Sequence, residues 1–115
     1  MFHFLLDDPT FVLNYPTSSY YVNETESITL RCRIKSFPKP TVWLNIPPGI
    51  TVDSRFQFQT TVIEDSLEYS IVERSLTISL AKLSDYGNYS CAGNNTIANI
   101  SINTALIVNC KFAFI

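Results

Sequence analysis

Leu83-Ser84-Asp85-Tyr86-Gly87-Asn88-Tyr89-Ser90-Cys91 holds the densest pattern in this chain. Residues 87, 89 and 91 share one face of a strand, so Tyr89 and Cys91 point one way and Asn88 the other. Upstream, Ser27-Ile28-Thr29-Leu30-Arg31-Cys32-Arg33-Ile34 alternates strictly, with Ile28, Leu30, Cys32 and Ile34 on an apolar face. Both Cys32 and Cys91 thus lie on apolar strand faces, and Leu76, Ile78 and Leu80 mark a third. Phe11 to Asn14, Tyr20 to Val22 and Thr41 to Leu44 read as shorter strands. Arg55 to Ile63 and Leu67 to Leu80 read as a hairpin around Glu64-Asp65-Ser66. Asn88 to Gly93 and Ile100 to Val108 form another, turning near Asn94 to Asn99. Short strands punctuated by Pro, Asn, Asp and Ser indicate an all-β sandwich or barrel.

Composition agrees. The chain has 115 residues, enough for one core and too few for two. Val, Ile, Thr and the aromatics outnumber the strong helix formers. With 46% apolar and 16% charged residues it has the makings of a packed core, not of a disordered segment. Its net charge of −2, without a run of like charges, argues against nucleic-acid binding and a polybasic membrane anchor. The run from Phe4 to Leu6 is too short for a secretory h-region, and no stretch of about 20 apolar residues occurs, so no membrane insertion by this segment is expected. Cys32, Cys91 and Cys110 are far apart in sequence and the only histidine is His3, a poor set for zinc or a Cys-His nucleophile. An enzyme is not expected, nor any cofactor.

Cys32, Trp43 eleven positions on, and Leu83-x-Asp85-x-Gly87-x-Tyr89-x-Cys91 together resemble the immunoglobulin superfamily. The segment Val22 to Cys32 and the Pro38-Lys39-Pro40 corner are similar to those of its I-set. The resemblance covers Pro9 to Asn109, so residues 1–8 read as an N-terminal tail, 9–109 as the domain and 110–115 as a C-terminal tail or the start of a linker. It implies an immunoglobulin-like sandwich of two antiparallel sheets with Greek-key connections. It also implies a disulfide between Cys32 and Cys91, with Trp43 packed against it. Closing a loop of about 60 residues would contribute roughly 4 kcal/mol in the loop-entropy model. Tyr89 is placed by the resemblance as a tyrosine corner, and Arg55 and Asp85 as an ion pair closing the bottom of the sandwich.

The chain departs from the pattern at three points. Thr25 stands where the A′ to B turn usually has glycine, so a left-handed backbone there would be strained. Pro40 to Trp43 is one residue shorter than usual. Ala98 and Asn99 replace the usual glycine of the last hairpin, and Asn99 tolerates positive φ better than Ala98.

Sequons occur at Asn23, Asn88, Asn94 and Asn99, about twice the number that chance gives. They are glycosylation candidates or else solvated turn asparagines. Together with the implied disulfide they favour an extracellular, cell-surface setting. Cys110, the odd cysteine, is expected either to stay single or to join a neighbouring domain or second chain. The resulting expectation is a non-catalytic adhesion module of a multidomain cell-surface glycoprotein. It would bind a homophilic or heterophilic surface or matrix protein and adjoin further Ig-like domains. The alternatives are a ligand-binding domain of a growth-factor or cytokine receptor ectodomain, and an intracellular muscle-type structural domain.

Overall fold

The computed structural model describes residues 6–111; expectations attached to residues 1–5, His3 among them, and to 112–115 lie outside it. The elements are β1 (Asp7–Phe11), β2 (Ser19–Asn23), β3 (Ile28–Phe37), β4 (Thr41–Asn45), β5 (Phe56–Asp65), β6 (Ser70–Ile78), a 3-10 turn η1 (Leu83–Asp85), β7 (Gly87–Asn94) and β8 (Asn99–Asn109). Among the described residues they form sheet A, ordered β1-β3-β6-β5, and sheet B, ordered β2-β8-β7-β4.

The alternation in β3 and β7 produces the layering. Leu30, Cys32 and Ile34 from β3, Leu76 and Ile78 from β6, and Tyr89 and Cys91 from β7 are all fully buried between the sheets. In the β3–β6 register Leu30 stands opposite Leu76 and Ile28 opposite Ile78, so both strands send their apolar face to the same side. Glu73 is 4% exposed although it lies on the other face. Arg31 Nη1 at 3.2 Å and Arg33 Nε at 3.3 Å both donate to its Oε1, which offsets the cost of burying the charge.

Four expectations are corrected. The sheets are not wholly antiparallel, because the chain crosses from sheet A to sheet B after β1 and enters β2 parallel to β8. The first strand is β1, which begins at Asp7 inside the segment read as a tail. It stops at Phe11, where Tyr15 N–H bonds back to the Val12 carbonyl in a turn. The strand expected to reach Leu80 ends at Ile78. Leu80 has φ +50° and is 62% exposed. The reason is Arg55, whose Nη1 donates to the Ser79 and Leu80 carbonyls at 3.3 and 3.0 Å and draws them away from the ladder. Finally, Asn99 has no positive φ. Asn95 makes the last hairpin, its Oδ1 accepting from Ile97 N–H at 2.9 Å and Ala98 N–H at 3.2 Å. The Thr25 turn keeps the left-handed form despite the missing glycine, with φ +74° and its N–H bonded to the Ala81 carbonyl at 2.8 Å.

Candidate contact surfaces

The bottom of the sandwich is a closed polar knot. Tyr89 is fully buried and its hydroxyl donates to the Asp85 carbonyl at 2.7 Å. The Asp85 carboxylate, 2% exposed at the end of η1, accepts from Arg55 Nη1 and Nη2 at 2.8 and 2.9 Å and from Lys82 N–H at 2.8 Å. Such a bidentate fork is stronger than a surface ion pair. Burial pushes the Asp85 carboxyl up, but the Arg55 and Lys82 donors together hold it below the usual carboxylate range. The hydrogen bond to Asp85 raises the guanidinium of Arg55 further above its ordinary value, against the opposing effect of burial. Burial, with the Asp85 charge beside it, pushes the Tyr89 phenol up. Every member is thus held in one protonation state by the others, which suits a structural clasp and not proton transfer.

Cys32 and Cys91 are joined across the core, their Cα atoms 5.9 Å apart, and both are fully buried. Trp43 does not cover them. It pairs with Ala92 on β7 and points outward, 43% exposed, while its neighbour Leu44 pairs with Cys91 and is 6% exposed. This corrects the assignment of Trp43 to the core. The missing residue between Pro40 and Trp43 shifts the strand parity by one, and one position in a strand reverses the face. The short spacing was visible in the sequence, and it was the signal for Leu44.

The sequon asparagines Asn23, Asn88 and Asn94 alternate with buried Val22, Tyr89 and Gly93 on the strands of sheet B, and Asn99 shares the face of its partner Asn94, so all four face outward. Asn94 and Asn99 are paired across β7 and β8. Cys110 is exposed just beyond β8. Among the described residues no group of three or more His, Cys, Asp and Glu is placed to hold a metal ion, and no helix is long and apolar enough to cross a membrane.

Two sheets tied by a buried cystine, with a tyrosine hydroxyl bonded back to the turn before it, define an immunoglobulin-type sandwich. The family model for the immunoglobulin domain matches residues 9–95, and the chain belongs to that family. It is 35% identical over 107 residues to the muscle M-line assembly protein unc-89 of Caenorhabditis elegans, a match over 90% of this chain and 1% of that protein. The chain therefore spans only a small part of the relative's length. In the crystal structure of the titin M10–obscurin-like 1 Ig complex, the matching chain has a TM-score of 0.68 at 23% identity, over 93% of this chain and 99% of that one. For Dpr2 Ig1-Ig2 in complex with DIP-Theta Ig1-Ig3 the values are 0.69 and 21%, over 88% of this chain and 32% of that one. These two likenesses are of fold.

Proposed function

We propose that the chain is one non-catalytic, I-set-like module of a long multidomain protein of the muscle-scaffold kind, acting by protein–protein contact inside the cell. The observation that carries this is the 35% identity to a muscle assembly protein over 90% of the chain. The titin–obscurin-like structure, whose own description is of an Ig complex, supports contact through such domains. On this reading the domain's work is done by its sheet faces and ends, and the Arg55–Asp85–Tyr89 clasp keeps those faces rigid.

A second reading, a glycosylated extracellular adhesion or receptor domain, is favoured by the Cys32–Cys91 pairing and by four outward-facing sequons. One experiment separates the two. An antibody to the chain labels repeating sarcomeric bands in permeabilised muscle if the first holds, and the protein's mass is unchanged by N-glycosidase. Labelling of unpermeabilised cells only, with a mass loss on deglycosylation, overturns it in favour of the second.

A further inference from the structure

We propose that the outer face of sheet B is a docking surface for a second copy of this chain. Although 16% of the residues are charged, none of the outward positions of this sheet is ionised. The residues that alternate with buried Val22, Leu44, Cys91 and Leu106 are Ser, Thr, Asn, Ala, Ile, Tyr and Trp only. Sheet A carries Arg31, Arg33, Lys35 and Glu73 on its outer face instead. Interface cores are depleted in charge and centred on aromatic anchors, and here two anchors stand proud, Tyr21 at 64% and Trp43 at 43% exposure.

Self-complementarity selects the occupant. A two-fold interface sets a patch against itself, which a surface of one charge sign resists and a surface of amides and hydroxyls permits, since both groups donate and accept. Most of the chain's asparagines stand on this face. Packing it instead against sheet A of another copy would desolvate Arg31, Arg33 and Lys35, of which Glu73 pairs the first two, against a surface that offers them no carboxylate. The aromatic residues fit the same symmetry. Trp43 lies on β4 level with Ser101 of β8, and Tyr21 lies on β2 level with Ile107 of β8, so the two occupy opposite corners. A two-fold axis in the interface brings Tyr21 of each copy over the depression of about 340 Å³ that Trp43 shares with Gly93, Asn94 and Asn99 of the other. The sheets then cross steeply, one of the two usual modes of sheet packing. Four strands at about 4.8 Å spacing give a face of roughly 500–700 Å² in projection, at the low end of what holds a dimer.

The proposal rests on the reading of the chain as a protein-contact module. Its failure leaves that reading intact, because the localisation experiment above does not involve self-association. The test is sedimentation of the full 115-residue, unglycosylated chain from about 10 μM to 1 mM, the range such an area allows. The mass rises from 13.0 kDa towards twice that value, and iodide quenching of the single tryptophan falls in parallel. Trp43→Arg and Tyr21→Arg each weaken association by roughly thirtyfold or more. Ser90→Arg, in the middle of the face, does the same, whereas Gln59→Arg on sheet A leaves it unchanged. Thermal unfolding verifies that each variant is folded. A mass constant across the range, association that survives all three sheet B variants, or quenching that ignores concentration overturns the proposal.

Discussion

Leu44, opposite Cys91, is 6% exposed, and Trp43, opposite Ala92, is 43% exposed. The smaller side chain therefore fills the place beside the cystine, and the larger one contributes little to the core. Leu44→Ala is expected to lower unfolding free energy by about 2–5 kcal/mol, because it leaves a cavity that packed neighbours fill only in part. Trp43→Ser should cost under about 1 kcal/mol, as surface changes do. Urea denaturation of both variants measures the difference, and a Trp43 effect as large as that of Leu44 would contradict the outward placement. Residue identity alone suggested the opposite order, since a tryptophan is the expected partner of the cystine in this family. The short count of residues from Pro40 was readable, but as a departure in the corner before β4 and not as a reversal of the strand's faces.

At the level of strands, Gly93 of sheet B is where the Ile34 side chain of sheet A lies against the facing backbone. A Cβ there would collide with the Ile34 side chain and lie 2.8 Å from the Thr41 carbonyl oxygen. That oxygen belongs to the backbone of the neighbouring strand β4 and cannot turn aside. Gly93→Ala is expected to destabilise the domain by about 1–3 kcal/mol through overpacking, measurable by thermal unfolding with the strand content unchanged in circular dichroism. The pattern of the last two strands was plain in the sequence, but this crowding was not, since Ile34 lies on the other sheet. The turn that joins β7 to β8 was hidden for a related reason. Asn95 orders it through its side-chain oxygen together with its own N–H bond to the Ala98 carbonyl, and neither needs the positive φ expected at Asn99.

For the molecule as a whole, the Arg55–Asp85 clasp links the start of β5 to the turn that leads into β7, closing one end of the sandwich. Asp85 is held below its ordinary value, so its contribution is present above about pH 4 and is lost as pH falls through its folded-state value. Asp53 and Asp65 are held down too, by the Arg55 N–H and the Ser70 hydroxyl first, and act in the same direction. Asp85→Asn is expected to cost about 3–5 kcal/mol at pH 7, the usual penalty for stranding one member of a buried pair. The gap between wild type and variant should begin to narrow as pH drops below 4, where the carboxyl of the unfolded chain protonates first, and keep narrowing until the native carboxyl is neutral as well. Chemical denaturation at pH 7 and pH 3 measures it, and a gap independent of pH would show that Asp85 acts by packing alone.

Alternation of side chains along β3 and β7, the spacing of Cys32, Asp85, Tyr89 and Cys91, and the position of Arg55 are local or one-dimensional facts. The alternation determined an all-β fold, and the likeness of the spaced residues to the immunoglobulin pattern implied the sandwich, the covalent tie and the clasp. Which face each strand turns outward depends on register against a neighbour, and register is a property of pairs. Only the tertiary structure therefore placed Trp43 at the surface, and only it gathered an uncharged face from β2, β4, β7 and β8, four strands that no single stretch of chain contains.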